Sequence, residues 1–170
     1  LPHRWPEHRH ALGRHYIGLA HESLRDGRPV DALQQLTAGV SRVPDELEAR
    51  RQLAILNTRF GRTAVAVRIL VDGLPHGRQN LEYLRHLFTL LLELQREEQV
   101  LEIAARELPA KPTENVLDAF VALQAATANF ALGRYDAAEV ICMNWQLNRS
   151  LEGVLLLARC DWERGYPDLA

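Results

Sequence analysis

The chain has 170 residues, 47% of them hydrophobic, a formal net charge of -2 and a pI near 6.4. That length and composition suit one folded domain with a sizeable core, and the near-neutral charge offers no global positive field to hold a phosphate backbone. Nucleic acid is therefore not expected as a partner, and the longest apolar runs, 87–92 and 154–158, fall far short of the roughly 18 residues a membrane-spanning helix requires.

In chain order, the first feature is a basic, histidine-rich stretch with Arg4, Arg9 and Arg14 among His3, His8, His10, His15 and His21. No two of these histidines have the i,i+4 spacing of a helical metal site, so a solvated, pH-sensitive surface is expected and no metal or cofactor. The stretch Glu7 to Leu12 is expected to lengthen the first helix. From there a 34-residue echo begins: Gly27, Arg28, Ala32, Leu36 and Gly39 return as Gly61, Arg62, Ala66, Leu70 and Gly73. Apolar positions recur at three and four throughout, as in Leu81, Leu84, Leu87, Phe88, Leu91 and Leu92, so helices are expected and no strand. Gly27, Gly61, Gly133 and Gly165 each follow a periodic stretch and suit left-handed C-terminal caps. Pro44 and Pro112 fall in breaks, and Pro29 and Pro167 suit first-turn positions.

These residues resemble the tetratricopeptide family, whose 34-residue repeat is a helix-turn-helix with small residues at positions 8 and 20, often Gly at 15 and Pro near 32. Residues 13–46 place Tyr16, Leu19, Ala20, Gly27, Ala32, Leu36 and Pro44 at positions 4, 7, 8, 15, 20, 24 and 32. Residues 47–80 repeat the set with Leu53, Ala54, Gly61, Ala66 and Leu70, but Arg50 stands at position 4. Residues 81–114 are degenerate, with Phe88, Gln95 and Val100 where small residues or Gly are usual. Gly133 follows Gln95 by 38 residues, so about four have been inserted, and residues 114–132 are expected to form one long helix. A fourth repeat is placed at 119–150 around Ala126, Gly133 and Ala138. A fifth, truncated, covers 151–170 with Leu157, Ala158, Gly165 and Ala170. The resemblance implies an all-α, right-handed α-α superhelix of about four and a half repeats forming a single domain over 1–170. With Leu at position 1 and no leader pattern, a fragment of a longer protein is expected.

In this family the first helix of each repeat lines a concave groove through positions 2, 5, 9, 12 and 13. Carried over, the groove candidates are Arg14, His21, Arg25, Arg51, Ile55, Arg59, Arg85, Thr89, Phe120, Leu123 and Phe130. Arginines that can fork onto carboxylates are followed by an apolar, aromatic shelf, which suits a protein or peptide with an acidic or apolar segment. The alternative is that Arg51, Arg59 and Arg85 pair with Glu48, Glu82 and Glu93 while Phe120 and Phe130 are core. The family's chaperone-binding carboxylate clamp needs Lys at position 5 and Asn at position 9, where this chain has Ile17 and His21, so that role is disfavoured.

No H-E-x-x-H, G-x-S-x-G or phosphate-binding loop is present, so no catalytic residue is assigned and an enzyme is not expected. Cys142 and Cys160 are read either as a bridge between adjacent helices or as small buried thiols, the second being the more common use. The expected function is a non-catalytic scaffold in a bacterial multiprotein assembly. Its alternatives are self-assembly into a homo-oligomer through a C-terminal edge containing Leu155 and Trp162, or a targeting appendage of a membrane-anchored envelope or secretion complex. The sequence selects neither cytoplasm nor periplasm.

Overall fold

A computed structural model describes residues 4–165, with side chains from Glu7 onward. His3, the Arg4 side chain, Pro167 and Ala170 lie outside the described residues. Among those described there is no β-strand, and helices make up about 78% of the residues. They are α1 (Arg4–Arg25), α2 (Pro29–Val40), α3 (Leu47–Arg59), α4 (Thr63–Asp72), α5 (Leu74–Gly77), α6 (Leu81–Glu93), α7 (Glu97–Glu107), α8 (Val116–Ala131), α9 (Tyr135–Asn144) and α10 (Leu151–Glu163), with a 3-10 turn at Leu147–Arg149. The chain divides into two compact units, Leu1–Leu87 and Phe88–Ala170.

The turns inside the repeats share one backbone device. Gly27, Gly61 and Gly133 adopt φ of +71°, +72° and +71°, and in each turn the next residue's N–H reaches back to the helix: Arg28 to Ser23, Arg62 to Asn57 and Arg134 to Asn129, all at 2.8 Å. This is the Schellman arrangement, which satisfies carbonyls that the helix end leaves open. The third repeat keeps the device without the glycine. Gln95 holds φ +53°, its N–H donates to the Leu92 carbonyl at 3.0 Å, and the Arg96 N–H donates to the Leu91 carbonyl at 2.9 Å.

In the first unit α1 packs on α2, α2 on α3, and α3 on α4. Ala20 and Ala32, like Ala54 and Ala66, are completely buried, so the helix pairs approach closely with Leu36, Leu53 and Leu70 filled in around them. The second repeat departs from its neighbour at Arg50 and at a helix break beside Gly73. Arg50 is buried, and its guanidinium donates to the Pro44 carbonyl from Nε (3.3 Å) and Nη2 (3.0 Å) and to the Ile69 carbonyl from Nη1 (3.1 Å). It thereby ties the linker before α3 to the end of α4. The second helix of this repeat is broken at Gly73, where a Cβ would strike Arg50 and the Tyr83 hydroxyl. The chain restarts as the short α5, and Tyr83 is buried with its hydroxyl donating to the Leu70 carbonyl at 2.6 Å.

In the second unit α8 packs on α7 and α9, and α10 packs on α9 and α8. Phe88 and Val100 are completely buried, taking volume that alanines leave open in the first two repeats. The expected insertion is shared between linker and helix. Leu108 is extended before Pro109, the conformation favoured ahead of proline, and α8 begins at Val116 with the Asn115 side chain accepting the Leu117 N–H at 2.9 Å. α8 has 16 residues against 13 in α3 and in α6.

Candidate functional site

The basic groove candidates lie on first helices of the first unit, and most are engaged with the chain's own carboxylates. Arg14 meets Glu46 at 3.3 Å; Arg51 lies 3.6 Å from Glu48 and 4.0 Å from Glu82; Arg85 meets Glu82 at 3.2 Å. Each exposed pair is worth less than about 1 kcal/mol, so a stronger acidic ligand could displace it. Their effect is to neutralise Arg14, Arg51 and Arg85 locally. Arg25 and Arg59 differ: both are exposed in the last turns of α1 and α3, and neither forms an ion pair among the described residues. His21 and Thr89 are exposed and Ile55 is half-buried. Ile17, at a groove position, packs instead onto the core formed by Ala20, Leu36 and Leu53.

The apolar candidates come together in the second unit, on the faces of α8 and α10. Phe120 is half-buried and meets Phe88 edge to face, with centroids 6.1 Å apart at 69°. Leu123 and Phe130 pack partly onto a core of Ala122, Ala126, Cys142 and Leu156. Phe130 also tilts against Tyr135 at 5.5 Å, and the Arg159 guanidinium of α10 lies 4.6 Å from its ring centroid. That cation-π contact places the Phe130 face of α8 beside α10. Along α10, Leu151, Leu155 and Trp162 are 71%, 54% and 65% exposed. Their spacing of four and eleven residues puts them within about 40° on one side of a helix. An exposed apolar stripe thus adjoins a half-buried aromatic shelf.

Arg164 braces this end of the second unit, with Nη1 on Asp136 (3.0 Å) and Nη2 on Glu139 (2.8 Å) and Asp161 (2.9 Å). Sequence reasoning noted Arg50 without a role and missed this residue and the buried polar residues Ser23, Asn57 and Asn129. The last three share position 11, and the two asparagines donate to the carbonyl four residues back, Leu53 at 2.8 Å and Ala125 at 3.0 Å. The recurrence of a small polar residue four before each capping glycine was a readable signal.

The chemistry of the interior is quiet. Cys142 and Cys160 are free and completely buried, and burial pushes the Cys142 thiol up to about 11 and the Cys160 thiol in the same direction. Thiols held protonated in this way are poor nucleophiles. Among the described residues no group of three or more His, Cys, Asp or Glu side chains is arranged to hold a metal ion, and no helix is long and apolar enough to cross a membrane.

The architecture defines the class as a tetratricopeptide-like, all-α helical solenoid fold. Solved structures of MamA proteins share it. A MamA crystal structure superposes with a TM-score of 0.64 at 12% identity, covering 92% of this chain and 85% of that one. MamA from Desulfovibrio magneticus RS-1, residue 41 to the end, gives 0.58 at 15%, covering 92% and 87%. MamA AMB-1 in a C2221 crystal gives 0.54 at 16%, covering 93% and 92%. At these identities the likeness is one of fold. No family profile matches the sequence, and no curated protein matches it.

Proposed function

We propose that this chain is a non-catalytic protein-interaction scaffold whose principal contact surface is the α8–α10 face, where an apolar segment of a partner docks. The observation that carries this reading is the exposure of Trp162 and Leu155 beside the Phe130–Arg159 pair. Tryptophan and arginine are the side chains that most often dominate binding energy when a partner desolvates them. The first unit supplies a second, weaker arm through Arg25 and Arg59, cations without an internal carboxylate that suit acidic residues. Arg51 and Arg85 would have to exchange Glu48 and Glu82 for a ligand. We place such a scaffold in a bacterial multiprotein assembly.

The same exposed stripe supports a second reading, in which a second copy of the chain covers α10. A pull-down from native extract separates the two when wild type is compared with Leu155→Asp/Trp162→Asp and with Arg51→Glu/Arg59→Glu/Arg85→Glu, each checked for helicity. Loss of one partner from the α10 variant alone supports the first reading. Recovery of only the chain itself, with a concentration-dependent mass that the α10 variant abolishes, supports the second. Equal recovery of every protein from all three chains overturns both.

A further inference from the structure

α1 and α2 cross at unusually close range. A Cβ on Gly13 would run into Val43 and Arg42, and one on Gly39 would lie 2.6 Å from Ile17 and 3.1 Å from the Gly13 carbonyl. Glycine at both positions lets the early turns of α1 lie against the corner where α2 ends. A cleft of about 500 Å3 opens there, lined by His8, Arg9, Leu12, Ser41 and Arg42.

Among the described residues every partner of the two arginines in this cleft is neutral. Arg9 Nη2 donates to the Ser41 carbonyl at 2.9 Å. Arg42 Nη1 donates to the Ala38 carbonyl at 2.6 Å and to Ser41 Oγ at 3.4 Å, and its guanidinium lies 5.2 Å from the Tyr16 ring centroid. Among the described residues neither guanidinium has a carboxylate within 4 Å, unlike Arg14, Arg28 and Arg51 in the same unit. Glu7 lines a separate depression with His10, Ala11 and Arg14. The carbonyls belong to the end of α2, whose macrodipole amounts to about half a negative charge. Two guanidinium groups exceed that by about 1.5 charges, so capping of α2 accounts for the hydrogen bonds and leaves most of the charge uncompensated.

We infer that this cleft is a docking site for an acidic side chain of a partner protein, with an apolar neighbour of that residue resting on Leu12. A carboxylate matches the planar donors of Arg9 and Arg42. A free phosphate also matches guanidinium donors, but the cleft offers it no nest of open backbone N–H groups to add to them. Here the N–H groups of Ser41, Arg42 and Val43 are already spent on the carbonyls of Thr37 and Gly39. The site shares no residue with the α8–α10 face and stands or falls independently of it.

The test is a nitrogen-15 NMR titration of the full chain with a capped peptide of alternating Glu and Leu, with its Gln-for-Glu counterpart, and with inorganic phosphate. The expected result is shift changes confined to residues 8–12 and 41–42 with the Glu peptide, absent with the Gln peptide, and weakened tenfold or more by Arg9→Gln/Arg42→Gln. Arg9→Gln alone, at an exposed position, should weaken binding at least threefold and guards against misfolding of the double variant. Equal binding of the Gln peptide, unchanged binding by the Arg9→Gln variant, or saturation of the same amides by phosphate at lower concentration than by the Glu peptide would overturn the inference.

Discussion

Replacing Gln95 by glycine should stabilise the protein. Gln95 is exposed, makes no side-chain hydrogen bond among the described residues, and holds φ +53° in a turn whose counterparts are Gly27, Gly61 and Gly133. An L-residue in the left-handed region costs roughly 1–2 kcal/mol. Glycine removes that cost but frees the unfolded chain by about 0.4–1 kcal/mol. The net gain is about 0.5–1 kcal/mol, since both backbone hydrogen bonds of the turn survive the change. At this chain length that corresponds to a rise in Tm of roughly 1–4 °C. Urea unfolding followed by circular dichroism reads the same quantity as a higher midpoint at unchanged slope. Gly61→Gln is the mirror experiment and should cost about as much as Gln95→Gly gains. If Gln95→Gly lowers the midpoint, or if Gly61→Gln costs nothing, the capping argument is wrong.

Gly73→Ala would thrust a methyl group into Arg50 and the Tyr83 hydroxyl and should lower stability by about 1–3 kcal/mol in the same urea assay. Phe88→Ala empties a completely buried site in the second unit and should cost about 3–5 kcal/mol, far more than Phe60→Ala at an exposed position. Both cysteines should resist a thiol-reactive disulfide reagent in the native chain, and both should react in urea; rapid native labelling would contradict their burial. The buried Cys142 thiol has a folded pKa of about 11, above its usual 9.0, and Tyr83 is raised in the same direction by burial. A raised folded pKa gives stability that is complete below the unfolded value and is lost as pH climbs through the folded one. The urea midpoint should therefore fall between pH 9 and 11, and Cys142→Ala/Tyr83→Phe should fall less steeply from its own value at pH 8.

The fold was legible because it is written twice. Ala20 with Ala32 and Ala54 with Ala66 specify the same close helix pair, and the Gly-Arg step that follows each first helix marks the same turn. Repeat three was harder to read because Gln95 carries the backbone of a glycine without being one: hydrogen bonding and packing hold a conformation that local propensity opposes. The break at Gly73 was hidden for another reason, since it depends on the side chains of Arg50 and Tyr83, 23 and 10 residues away in sequence. On the candidate surface, position alone put Phe130, Leu155 and Trp162 forward. It could not identify which arginines remain available, because that depends on where Glu46, Glu48 and Glu82 reach.

The large pair Phe88 and Val100 bears on how such a chain can change over generations. Repeats built on alanine pairs present nearly the same steric outline, so duplication or unequal exchange among them yields neighbours that still fit. A repeat with phenylalanine and valine at those places has a different outline and would overlap or gape beside a copied alanine repeat. Recombination within this gene should therefore be tolerated among residues 13–80 and selected against across residues 81–114.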